Sequence, residues 1–171
     1  MALFSNLFID GVKYEKDDVK NKNIYPFNIS SIESLDKLTF SKPVTFLIGE
    51  NGAGKSTFIE ALAIRLRLNP EGGSQNIVFK TTDSHSNLSD YLTVYSSGNL
   101  PKTKYFLRAE SFYNVAAEVQ RLVEEDKFIG LYNAYGGNLL KYSHGESFIK
   151  LVKNRFEPNG LYILDEPLGG V

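Results

Sequence analysis

The residues with the clearest chemical capacity are Gly49-Glu50-Asn51-Gly52-Ala53-Gly54-Lys55-Ser56, which fit G-x-x-x-x-G-K-S/T without a mismatch. Glycines at these positions let backbone N–H groups turn inward as an anion nest that bulky side chains would obstruct. A helix opening at Ser56 would aim its positive end at the same place. Lys55 could then reach the β- and γ-phosphates of a nucleotide, and the Ser56 hydroxyl could ligate Mg²⁺. Asn51, Gly52, Ala53, Gly54, Lys55, Ser56 and Thr57 are the candidate phosphate-binding stretch.

A second set is Leu161-Tyr162-Ile163-Leu164-Asp165-Glu166, an apolar strand that ends in two carboxylates. Asp165 could hold Mg²⁺ directly or through water, and Glu166 could orient or deprotonate an attacking water. Between the two sets lies Ser143-His144-Gly145-Glu146. Ser-x-x-Glu is also a capping box, here ahead of Phe148, Ile149, Leu151 and Val152, so a plain helix start stands beside any chemical role.

These residues need strands and helices to hold them. Val44 to Ile48 is a β-branched, apolar burst that stops at Gly49, as a buried parallel strand would. From Ser56 the period changes: Ile59, Leu62, Ala63 and Leu66 define one buried helix face, and Asn69 to Gly73 stops it. Residues 3–14 read as a strand or hairpin turning at Asp10-Gly11, and residues 15–23 as a solvated polar loop. Asn76–Lys80, Tyr91–Tyr95 and Lys104–Leu107 suggest a small antiparallel layer. Residues 113–128 return to helical period, with Val115, Val119, Leu122 and Val123 on one side. A Gly- and Tyr-rich loop over 130–142 and a helix over 144–154 then lead into the buried strand Leu161–Leu164.

Composition narrows the function. A chain of 171 residues with 42% hydrophobic content suits one packed domain, read here as spanning 1–171. Nineteen basic and twenty acidic residues give a net charge of -1, which supplies no bulk drive toward nucleic acid. The absence of cysteine removes disulfides, thiolate metal sites and Cys nucleophiles. The two histidines, His85 and His144, do not form a zinc-binding pair. No apolar run approaches the ~18 residues a membrane helix needs, and the N-terminus lacks a secretory pattern. The expectation is a cytoplasmic protein with no membrane partner.

Taken together, the Gly49–Thr57 stretch, the Ser-x-Gly-Glu helix start and Leu-Tyr-Ile-Leu-Asp-Glu-Pro resemble an ATP-binding-cassette ATPase. The chain more closely resembles the stand-alone, SMC/RecF-like branch, whose signature reads Ser-His-Gly-Glu-Ser. The resemblance runs from about residue 25 to Pro167. It implies an α/β P-loop fold with a mostly parallel core sheet, a small antiparallel β layer and a helical segment carrying the signature. It also implies ATP and Mg²⁺ as cofactors, Glu166 as the catalytic residue, and Ser56 and Asp165 as metal ligands. Ser143 and Gly145 would serve the nucleotide of a second subunit in an ATP-dependent, head-to-tail homodimer. His144 replaces the ordinary glycine, and phosphate contact and loop packing are both open to it. Tyr25, with Phe27 next, is the aromatic that would stack on adenine, although core or loop packing is open to each. A glutamine that senses Mg²⁺ has no clear counterpart; Glu110 would stand in, and Gln75 lies too close to the first helix. The D-loop and switch histidine that follow Asp-Glu-Pro in the family have no counterpart here, so the domain reads as incomplete at its C-terminus.

The leading expectation is therefore Mg²⁺-dependent ATP binding and hydrolysis. The alternative is a nucleotide-binding regulatory or remnant module without significant turnover. A GTPase would need a base-reading Asn-Lys-x-Asp, which is missing, and a kinase would not need the Ser-His-Gly-Glu start.

Overall fold

The computed structural model describes residues 7–70, 72–74, 86–125 and 130–166. They fall into two units, Met1–Pro70 with Asp83–Pro101, and Glu71–Thr82 with Lys102–Val171.

The first unit is built on a three-stranded antiparallel sheet. Strand β1 (Ile9–Tyr14) lies between β2 (Lys37–Thr39) and β4 (Leu92–Ser96). A bulge between Ile9 and Gly11 shifts the alternation by one residue, so Ile9, Val12 and Tyr14 are all buried. Asp10-Gly11 is thus not the hairpin turn that the sequence suggested. Gly11 sits inside the strand, where an added Cβ would lie 2.6 Å from the Leu38 carbonyl oxygen. The glycine is there for close backbone approach.

Helix α1 (Ser30–Ser34) is short, and helix α2 (Lys55–Arg65) carries Phe58, Ala61, Leu62 and Ala63 into the core. These residues form the apolar stripe that the 3.6 period required, shifted toward Phe58 and Ala61. Helix α2 packs on β4 and on the 3₁₀ turn Asn87–Tyr91, where Leu88 is fully buried. Phe27 meets Tyr91 edge to face at 5.2 Å.

The expected buried strand Val44–Ile48 does not form. These residues join no described ladder, and Val44, Phe46 and Ile48 are exposed. β-branched and aromatic content shows that a segment suits a pleated surface, but pairing is non-local and needs a strand in register. No described strand supplies one.

In the second unit β5 (Thr103–Arg108) lies between the two-residue β3 (Gly73–Ser74) and β6 (Gly160–Asp165). The β5–β6 pair is parallel, in register from Thr103 opposite Gly160 to Arg108 opposite Asp165. Parallel strands need a long crossover. Here it comprises α3 (Phe112–Glu124), α4 (Leu131–Tyr135) and α5 (His144–Arg155). Their core gathers Tyr105, Leu107, Phe112, Val115, Ala116, Val119, Tyr135, Leu139 and Leu151.

Three expectations are corrected here. The runs at 91–95 and 104–107 become β4 and β5 of different sheets and not one antiparallel layer, while 76–80 lies outside the described residues. The Gly- and Tyr-rich stretch 130–142 is largely α4 and a 3₁₀ turn at Leu139–Lys141, because Tyr135 and Leu139 are core residues. The core sheet is not mostly parallel: among the described strands only β5 and β6 pair that way. Among the described strands β6 is an edge, and its two faces differ: Ile163 is buried while Leu164, on the opposite face, is 38% exposed.

Gly11→Ala should destabilise the first unit by about 1–3 kcal/mol, because Leu38 backbone must move to admit the methyl group. A denaturant midpoint unchanged from wild type would contradict the close approach.

Candidate functional site

The glycine-rich loop enters α2 through Gly54, whose φ of 83° is a left-handed conformation that a side chain would strain. Gly52 has a φ of 78°, so the loop turns twice through this region. No side chain caps the first turn of α2, and that turn holds no acidic residue. The first N–H groups of a helix have no intrahelical acceptor, and here they follow directly on the glycine-rich loop. The Lys55 ammonium folds back over the loop and donates to the carbonyls of Gly49 and Glu50, at 2.7 and 2.8 Å.

The loop is braced from α1. The Ser31 hydroxyl donates to the Ala53 carbonyl at 2.5 Å, and Ile29 and Ser31 close over Gly54 so tightly that an added Cβ would meet both at 3.0 Å. Nothing in the residue types signals Ile29 and Ser31, because the contact spans over twenty residues. Tyr25 stands beside the same turn, 62% exposed and with its hydroxyl 3.2 Å from the Thr57 Oγ1. Phe27, the other aromatic candidate, is a core residue, 2% exposed. Within this unit the structure brings together Tyr25 and the stretch Asn51, Gly52, Ala53, Gly54, Lys55, Ser56 and Thr57.

In the second unit, β6 delivers Asp165 to its C-terminal end, where the residue is buried, and the Ala109 N–H donates to its carbonyl at 3.1 Å. Glu166 follows in an exposed left-handed turn with φ 46°. Opposite Asp165 stands Arg108, whose Nε lies 3.7 Å from Oδ2 of Asp165 and whose Nη2 lies 3.5 Å from Oε2 of Glu110. Sequence reasoning passed over Arg108. The available signal was a basic residue closing a strand directly before the segment searched for a magnesium sensor. Glu110 is exposed and pairs with Arg108; Gln75 lies outside the described residues.

Helix α5 opens with a full capping box. The Ser143 hydroxyl and backbone N–H both donate to Oε2 of Glu146, at 2.7 and 3.0 Å, and the Glu146 N–H donates to Ser143 Oγ. These bonds hold the Glu146 carboxyl below its ordinary value, the Ser143 hydroxyl contributing most. A Cβ on Gly145 would meet open space. His144 packs against Phe112 at 5.3 Å and Tyr113 at 5.8 Å between ring centres. Of the two roles open to it, the structure shows the packing. His85 lies outside the described residues.

A family model described as an AAA domain matches residues 22–157. No curated protein and no solved structure matches the chain. No helix among the described residues is long and apolar enough to cross a membrane.

The capping box predicts a pH dependence. A carboxylate held below its unfolded value adds stability above that value, and the gain is lost as pH falls through the folded one. Wild type should therefore lose melting temperature more steeply than Glu146→Gln between about pH 5 and pH 3. Parallel curves would contradict it.

Proposed function

The chain belongs to the AAA-domain family of P-loop nucleoside triphosphatases, and we propose that it binds ATP with Mg²⁺ and hydrolyses it as a cassette ATPase of the SMC/RecF-like branch. The observation that carries this reading is the start of α2: a left-handed glycine, no side-chain cap, no acid in the first turn, and a lysine lying across the loop. Such a turn favours a polyanion over a neutral or cationic ligand. A side chain at Gly52 or Gly54 would be strained, and one at Gly54 would also crowd Ile29 and Ser31, so the cradle fits a phosphate chain held by backbone.

The residues divide the work by chemistry. The Lys55 ammonium exchanges the carbonyls of Gly49 and Glu50 for phosphate oxygens, and the N–H groups of the Asn51–Thr57 stretch, other than that of Ala53, which donates to the Glu50 carbonyl at 3.2 Å, supply neutral donors. The exposed Tyr25 ring offers adenine a stacking face. The Ser56 hydroxyl and the Asp165 carboxylate are hard oxygen donors of the kind Mg²⁺ takes one or two of, the remainder of its shell being phosphate and water. When bound, Mg²⁺ neutralises charge on the phosphate oxygens. Glu166 orients a water for in-line attack and accepts its proton on the carboxylate. Ser143 and Gly145 act on the nucleotide of a second copy in an ATP-dependent homodimer, which requires Ser143 to turn from Glu146 toward phosphate.

A fluorescent ATP analogue titrated against wild type and Lys55→Ala should show affinity reduced at least about tenfold in the variant. Glu166→Gln should keep affinity within about twofold while phosphate release falls by roughly 10²–10³. Equal binding by Lys55→Ala, or turnover that survives Glu166→Gln, would overturn the respective assignment.

A further inference from the structure

Arg108 holds two carboxylates of unlike exposure: the Asp165 side chain is 7% exposed and that of Glu110 81%. The Arg108 side chain is 21% exposed. The pair with Asp165 is the desolvated one, where charge is screened least. At 3.7 Å from Nε to Oδ2 it acts through charge and not through a close directional bond. Its position is fixed by the sheet, since Arg108 and Asp165 are register partners across the parallel β5–β6 ladder. Any cation that reaches the Asp165 carboxylate therefore arrives within a few ångströms of a charge that never leaves at neutral pH.

We propose that Arg108 is a positioning residue that makes Asp165 a ligand for magnesium carried on a nucleotide and not for a free divalent ion. The inference rests on reading Asp165 as a metal ligand. A free ion brings two positive charges toward the guanidinium, and like charges at this range repel by more than thermal energy even under near-surface screening. A magnesium nucleotide is negative overall, so the same guanidinium does not oppose its approach. Glu110 completes the device. It sits two residues along the chain, exposed and already paired with Arg108, and it receives the guanidinium when Asp165 turns to the metal. The metal-free site keeps its buried carboxylate compensated, and free divalent ions do not load it.

The test is a Mn²⁺ titration followed by electron paramagnetic resonance, without nucleotide, on the full chain. Wild type and Arg108→Lys, which keeps the charge, should bind Mn²⁺ weakly and alike. Arg108→Gln and Arg108→Met, which remove the charge with different packing, should each bind about tenfold more tightly. Adding Asp165→Asn to either should erase the gain. With a non-hydrolysable ATP analogue present, the charge-removing variants should show no gain in Mn²⁺ affinity over wild type. Circular dichroism of each variant reports folding, and either of the two charge-removing variants suffices. No gain without nucleotide, a gain that survives Asp165→Asn, or an equal gain with nucleotide would overturn the proposal. Because the first titration contains no nucleotide, failure to bind ATP would sink the functional reading alone and leave the charge effect to be judged separately.

Discussion

The start of α2 is the constraint around which the first unit is arranged. A helix that meets a ligand with its backbone cannot also be capped by its own side chains. The residue preceding α2 is a left-handed glycine, where a Ser, Thr or Asp cap would ordinarily add about 1 kcal/mol. The loop gives up that cap and recovers order elsewhere. Lys55 closes over the Gly49 and Glu50 carbonyls, Ser31 holds the Ala53 carbonyl, and Ile29 fills the space beside Gly54. Behind them Phe58, Ala61, Leu62 and Ala63 anchor the helix in the core, so the left-handed turn is supported from the packed side.

Helix α5 is built the other way. Its first turn is satisfied internally by Ser143 and Glu146, with a carboxylate already at the positive end. His144, between them, is held by the rings of Phe112 and Tyr113 at the start of α3. That start follows within four residues of Arg108, so one continuous stretch of chain touches both the Asp165 carboxylate and the cap of α5.

Legibility in the sequence followed the range of the interaction. The glycine-rich turn into α2, helix α2 itself and the cap of α5 were readable, because each depends on residues within a turn or two of one another; strand β6 was readable from its apolar run, although its partner β5 is distant in sequence. Val44–Ile48 failed because β propensity cannot say whether a partner strand reaches the segment. Gly11 was misread as a turn because a glycine at a bulge and a glycine in a hairpin carry the same letter; only the Leu38 carbonyl across the ladder distinguishes them. The pairings of Arg108 with Asp165 and of Ser31 with Ala53 were not legible for the same reason, the partners lying 57 and 22 residues apart. Phe27 and Tyr25 show the limit of residue type: two aromatics two positions apart, one in the core and one on the surface.

The account stands or falls on backbone N–H groups binding phosphate at the start of α2. Amide hydrogen exchange, with and without Mg-ATP, addresses those groups directly. Protection gained on nucleotide addition should concentrate on residues 51–57 and be much weaker with AMP, which lacks the β- and γ-phosphates. Unchanged exchange at 51–57 under saturating nucleotide, with protection appearing elsewhere, would contradict it.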